Sequence, residues 1–168
     1  MKTLIRARRD WTTRQVDNRC TRQTASRPTL FVHYSETDGS SLKTKTQQTK
    51  AIAAIWNYHV YGRGWYDIGY SYMLAQPWGP FRRARVWVGR GKGYVPASQE
   101  GHNTGNVSVC ILAGPGDGVK VATIDAIAQL AKKLGAVAIQ PHCAVNATDC
   151  PGHNILQAIP AIRKKANL

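Results

Sequence analysis

Acidic residues are scarce in this chain. Nine Asp and Glu stand against 23 Lys and Arg in 168 residues, giving a formal net charge of +14. A field of that sign favours a polyanionic partner and speeds encounter with it. The basic residues form no single run; they fall at 6–9, 14–27, 43–50, 82–90 and 163–165. A solvated basic surface explains that spread equally well, and sign alone does not choose among nucleic acid, an anionic cell wall and a membrane surface. Long apolar runs are also missing. No stretch approaches the ~18 uninterrupted apolar residues of a membrane-spanning helix, so a span is excluded. The start, MKTLIRARRDW, has no apolar core before its Arg run, so no secretory signal is expected. No period of roughly 20–50 residues repeats, which argues against a solenoid. No linker rich in Pro, Gly or Ser divides the chain, and its length suits one domain. Cysteine is sparse: Cys20, Cys110, Cys143 and Cys150 include no CxxC pair and are too few for a disulfide scaffold. Cys110, inside the apolar run 107–113, reads as a buried core thiol, and Cys20, in a polar segment, as a free one.

What is present is a globular alternation of strand and helix patterns. Residues 1–28 are basic, polar and without period; they read as an irregular arm packed on the domain through Leu4, Ile5 and Trp11. Residues 29–33 (TLFVH) are β-branched and aromatic behind Pro28, a buried strand. Residues 41–61 read as a helix with Ile52, Ile55, Trp56 and His59 on one face, stopped by Gly62 and Gly64. Strands are expected at 68–74, 86–88, 107–113 and 136–139, with a turn at Pro77-Trp78-Gly79-Pro80 and a long loop over 92–106. Thr123 is the expected N-cap of a helix carrying Ile124, Ile127, Leu130 and Leu134, with Gly135 at its C′ position. A last helix over 154–165 should be kinked or split by Pro160. The expected class is mixed α/β (α+β), a single domain with a central mixed sheet of about five strands and about three helices.

Five histidines supply most of the candidate chemistry. A hydrolytic zinc site needs three protein ligands and one open position. His33 ends a strand, His142 follows one, and Cys150 lies eight residues later in the same loop. Strand ends converge at one edge of a sheet, so the three could meet there. Their spacing is not that of a zinc finger, and by themselves two structural histidines and a packed thiol read as well.

Five segments narrow the choice. They are 31–36 (FVHYSE), Asn57 through 65–74 (WYDIGYSYML), 86–91 (VWVGRG), 101–114 (GHNTGNVSVCILAG) and 141–152 (PHCAVNATDCPG). In order and distance they resemble the zinc-dependent N-acetylmuramoyl-L-alanine amidase type 2 family, which includes peptidoglycan recognition proteins and phage amidase endolysins. The match covers roughly residues 29–165, and its Asp-Ile-Gly-Tyr and His-x7-Cys-Pro-Gly blocks are specific. The resemblance implies an amidase domain over 29–168 behind the 1–28 arm, with zinc held by His33, His142 and Cys150. It implies that Tyr70 hydrogen-bonds the attacking water or the developing oxyanion. Thr148 stands where phage enzymes often carry a lysine; its hydroxyl can bond an oxyanion but brings no charge, so its catalytic role is smaller. His59, Trp65, His102 and Asn103 are the implied substrate contacts, although His59 and Trp65 serve equally as packing residues. No carboxylate stands out as general base. Ser98 replaces a loop histidine common in the family, and Cys143-Ala144 replace a polar pair after His142, which removes a hydrogen-bond partner for a ligand.

The expectation is therefore a zinc peptidoglycan hydrolase cleaving between N-acetylmuramic acid and L-alanine, an endolysin of phage or prophage. It would be made in the host cytoplasm without a signal peptide, act on the wall after release, and work as a monomer. Its partners would be bacterial peptidoglycan and anionic wall polymers, with no specific nucleic acid. The alternative is a non-catalytic peptidoglycan-binding module; members that lose catalysis typically lose the cysteine, which stands here as Cys150.

Overall fold

The computed structural model describes residues 4–78 and 83–168. Six strands form one sheet: β1 (Leu4–Arg6), β2 (Thr29–Tyr34), β3 (Tyr72–Ala75), β4 (Arg85–Val88), β5 (Val107–Leu112) and β6 (Ala138–Pro141). Three helices accompany it: α1 (Lys45–Asn57), α2 (Val121–Leu134) and α3 (His153–Ala166). The sheet order is β1-β4-β3-β5-β2-β6, parallel throughout except for the β3–β4 pair. It is the expected mixed α/β sheet, with one strand more than the sequence suggested.

Strand periodicity divides the core into two layers. Leu30, Val32, Val109 and Ile111 face α2 and α3, where Ile127, Leu130, Ile155, Ile159 and Ile162 cover them. Met73, Trp87, Cys110 and Leu112 face the other way, with Ile52, Ile55 and Trp56 of α1 against them. His33 is the register partner of Cys110 and shares its face, so β2 sends this histidine toward α1. All six residues of β5 are buried, as expected of a strand covered on both sides.

Several boundaries differ from those read in the sequence. The arm is not wholly irregular: Leu4–Arg6 pairs in parallel with β4, and Trp11 Nε1 donates to Val88 O at 2.8 Å. Three residues are too few to show a period. Helix α1 begins at Lys45 rather than near 41, because Thr44 and Gln47 close a reciprocal capping box. It ends in a wide π turn, Tyr58–Gly62, that carries His59. β3 begins at Tyr72, so Ile68–Tyr70 lie outside the strand, and β6 is shifted to Ala138–Pro141. Thr123 is not a cap: α2 starts behind Lys120, and the buried Thr123 hydroxyl donates to Gln76 Oε1 at 3.0 Å. Gly135 does close α2 in the left-handed conformation, φ 67°. Pro160 does not split α3, which runs from His153 to Ala166. Gly79 and Pro80 of the expected turn lie outside the described residues. No helix among the described residues is long and apolar enough to cross a membrane.

Candidate metal centre

β2 and β6 are parallel neighbours, so their C-terminal ends lie side by side. That places His33, near the end of β2, against His142, the first residue after β6; the ring centroids are 4.4 Å apart. The loop from His142 folds back through a hydrogen bond from Cys143 N to Cys150 O (2.9 Å). Cys150 Sγ comes to 3.6 Å from His33 Nδ1. One ligand atom from each of His33, His142 and Cys150 lies within 4.8 Å of the others.

The hydrogen bonds around the rings decide which nitrogens are free. His33 Nε2 faces Gln99 Oε1 at 3.3 Å, and His142 Nε2 faces Asn146 Oδ1 at 3.1 Å. An amide oxygen can only accept, so in each ring Nε2 carries the proton and Nδ1 keeps its lone pair. His142 Nδ1 is buried and has no hydrogen-bond partner among the described residues. Burial, then the neighbouring His142, pushes the pKa of His33 down to about 3, so its ring is neutral at ordinary pH. Burial pushes the Cys150 thiol up to about 12, and a divalent cation at this point would reverse that by binding the thiolate. Two neutral imidazoles, one thiol and an unpartnered buried nitrogen fit a three-ligand zinc site with one open position.

The open side faces a cavity of about 380 Å3 between the strand ends and α1. Tyr70, Thr148, His59 and Trp65 all line it. The Tyr70 ring lies 5.3 Å from His33 and 5.5 Å from His59. Burial, then the Cys110 thiol beside it, holds the Tyr70 phenol well above its ordinary pKa, so it remains a hydroxyl donor. Its backbone is fixed by Arg90 N donating to Tyr70 O (3.0 Å), and a Cβ at Gly89 would fall 2.3 Å from that same oxygen. Only glycine permits this approach. His59 Nδ1 accepts from Gly69 N at 2.9 Å, which leaves its Nε2–H as the donor. Burial, then Arg63 and Arg90, lowers its pKa to about 4. Trp65 packs against His59 with the rings tilted by 43° and their centroids 4.7 Å apart. Thr148 Oγ1 accepts from Cys150 N at 3.2 Å and so also braces the ligand loop.

His102 and Asn103 are placed differently. Neither lines the cavity. Asn103 Oδ1 accepts from Ser98 N and Gln99 N, both at 3.1 Å, and thereby shapes the turn that presents Gln99 to His33. His102 is exposed and packs toward Phe31 at 6.4 Å. Gln99 and Asn146 were not singled out in the sequence. Asn146 supplies the partner for His142 that Cys143-Ala144 cannot, and its position four residues after a ligand was the one available hint. Cys143 is half-buried, and Cys20 and Cys110 are buried; all three are free thiols.

Comparison with known proteins agrees with the motifs. No family model matches the chain. It is 28% identical over 137 residues to peptidoglycan-recognition protein SC1a of Drosophila melanogaster, covering 77% of this chain and 70% of that one. It is 26% identical over 132 residues to a human N-acetylmuramoyl-L-alanine amidase, covering 73% of this chain but 22% of the human protein. Among solved structures, bumblebee PGRP-SA superposes with a TM-score of 0.81 at 21% identity over 95% of each chain. Human PGRP-IβC, in complex with glycosamyl muramyl pentapeptide, gives 0.77 at 18% identity over 92% of this chain and 93% of that one. The homologues of this chain are thus peptidoglycan recognition proteins and an amidase, and its fold is theirs.

Proposed function

We propose that this protein is a zinc-dependent N-acetylmuramoyl-L-alanine amidase that cuts the amide between the lactyl group of N-acetylmuramic acid and the L-alanine of the peptidoglycan stem. The observation that carries the reading is the convergence of His33, His142 and Cys150, with the lone pair of His142 Nδ1 unclaimed, beside a Tyr70 hydroxyl in one cavity. Bound zinc would supply a Lewis acid for the carbonyl and acidify a water. The chain's own groups then do the following. Tyr70 donates its hydroxyl proton in a hydrogen bond to the oxygen that gains charge in the transition state. The Thr148 hydroxyl serves the same region as a neutral donor. His59, neutral with its proton on Nε2, donates to a peptide carbonyl, and Trp65 holds that ring in place and narrows the cavity.

We infer a phage or prophage origin, in which a net charge of +14 would draw the enzyme to anionic wall polymers. We place it in the host cytoplasm until release and at the wall afterwards. Lysis should then weaken as salt rises, since charge screening shortens to ~8 Å at physiological ionic strength. The second reading, a binding-only recognition module, draws on the name of the Drosophila relative. One experiment separates the two: zinc content and release of L-alanyl peptides from purified peptidoglycan, with and without a chelator. Stoichiometric zinc and new L-alanine amino termini, both lost on chelation, are expected. Zinc and peptidoglycan binding without cleavage would replace the amidase with the recognition module.

A further inference from the structure

The cavity has a charge polarity that amide hydrolysis itself does not require. Besides the three ligands and the neutral His59, two ionic side chains line it, Glu36 and Arg63. Arg63 lies with its guanidinium 4.8 Å from the Trp65 ring, and it continues into an adjoining depression of about 350 Å3 beyond His142 and Thr148. Glu36 does not reach that depression; it lines the first cavity with Tyr34 and Ser35, three residues after His33. Arg63 thus borders both depressions, and Glu36 only the first.

Glu36 is the one acid among the residues that line this cavity, and, like Asp10, Glu100 and Asp149, it is not neutralised by a partner cation among the described residues. Asp17, Asp67 and Asp125 are each paired with an Arg or Lys, and Asp38 and Asp117 accept from backbone N–H groups. Glu36 makes no ion pair among the described residues, in a chain of net charge +14. Its backbone sits at φ 59°, the left-handed region that side chains other than Gly, Asn and Asp seldom adopt. Backbone strain of this kind gathers at ligand sites. The Tyr34 hydroxyl donates to Glu36 Oε1 at 3.2 Å, which aims the carboxylate and leaves Oε2 with no other partner among the described residues.

We propose that Glu36 is a specificity residue that receives a free side-chain ammonium group of the stem peptide. The inference rests on the peptide-substrate reading above and deepens it. The substrate class is a muramyl peptide whose stem bears an unacylated primary amine, hence a stem not cross-linked through that amine. Arg63, between this cavity and the adjoining depression, suits a stem carboxylate. A carboxylate facing solvent at a cavity rim binds an ammonium better than the corresponding amide, by a few-fold, because the ion pair stays hydrated.

The test uses the full-length protein and two synthetic N-acetylmuramyl tripeptides that differ only in having lysine or Nε-acetyl-lysine at the third position. Hydrolysis is followed on the zinc-loaded protein, and binding is titrated in parallel on the chelated protein. Wild type should prefer the free amine about three- to tenfold, in KM and in Kd, with kcat changed less than twofold. Glu36→Gln should raise the free-amine KM to that of the acetylated peptide. Glu100→Gln, an acid of the adjoining depression alone, should keep the preference. Equal wild-type affinity for the two peptides, or no affinity for either, overturns the proposal. So does a Glu36→Gln variant that lowers kcat equally on both, which would make Glu36 part of the chemistry or the fold. Binding with the expected preference but no cleavage would leave Glu36 in place and sink the amidase reading instead.

Discussion

Gln99 and His33 form a buried pair in which the amide oxygen stands 3.3 Å from Nε2, on the opposite side of the ring from Cys150. The amide fixes the tautomer that turns Nδ1 toward the metal position. Such partners are usually worth 10- to 100-fold in metal affinity. Gln99→Met keeps the volume and removes the acceptor, so zinc affinity should fall by about that factor in a competition titration with a chromogenic chelator. Asn146→Ala should do the same through His142. Unchanged affinity in both would mean that packing alone orients the rings.

The thiol is the least replaceable ligand. Of the three candidate ligands Cys150 alone can bind as an anion, and a serine alkoxide is not available near neutral pH. Cys150→Ser should lose bound zinc, measured by elemental analysis, and turnover by at least about 100-fold. Binding of a muramyl peptide in the cavity should stay within a few-fold, because the change is one atom. Normal turnover in this variant would refute the ligand assignment.

Tyr70→Phe removes one hydroxyl from the wall of the metal cavity without changing the ring contacts to His33 and His59. A single donor to a developing oxyanion is worth about 10²–10³ in kcat. The expected result is a fall of that size in kcat with KM nearly unchanged. A change under about threefold would reduce Tyr70 to a packing residue.

How much of this could be read beforehand depends on the range of the interactions. His33, Cys150 and Tyr70 were grouped through the resemblance of their sequence blocks to a known family and not through spacing, since 117 residues separate His33 from Cys150. Strand β5 was legible because it is apolar but for Ser108, and α2 because its apolar positions recur at helical spacing. β1 was not, since three residues carry no period and their pairing partner lies some 80 residues away at Arg85–Trp87. Gln99 was hidden for a similar reason: its link to His33 spans 66 residues, and nothing in a polar loop marks one amide among its neighbours. Asn103, expected at the substrate, spends its oxygen on the backbone of that loop. Thr123 looked like a cap because residue type alone does not reveal that Gln76 claims its hydroxyl.

The acid limb of stability should carry the signature of His59. Its folded pKa, about 4, lies below the ordinary 6.5, because burial and the nearby Arg63 and Arg90 disfavour the imidazolium. The unfolded chain therefore binds a proton that the folded chain refuses. The contribution is fully present above about pH 6.5 and is lost as pH falls toward about 4. Its size is on the order of 3 kcal/mol. Urea denaturation of the chelated protein across this window should show wild type losing more stability than His59→Gln, whose side chain does not titrate. Parallel curves would place the acid sensitivity elsewhere.

The N-terminal arm should matter more to stability than its basic, polar sequence suggests. Both Asp67 oxygens lie 2.9 Å from Arg8 Nη2, and Arg8 Nη1 donates to Gly89 O at 2.8 Å. The carboxylate also accepts from Trp56 Nε1 and from the backbone of Asp17 and Ile68. Side-chain exposure is 10% for Arg8 and 1% for Asp67, so removing the cation strands a charge in the interior. Breaking such a pair from one side costs about 3–5 kcal/mol, and the remaining N–H donors put Arg8→Met at the lower end of that range. Arg8→Lys should recover only part, since an ammonium cannot span the carboxylate and Gly89 together. Asp67→Asn in the Arg8→Met background should restore stability relative to Arg8→Met alone, because the stranded charge is gone. Thermal denaturation of the four proteins is the measurement. Equal melting temperatures for wild type and Arg8→Met would show that the arm merely lies on the fold, and a double variant less stable than Arg8→Met would show that shape rather than charge holds this corner.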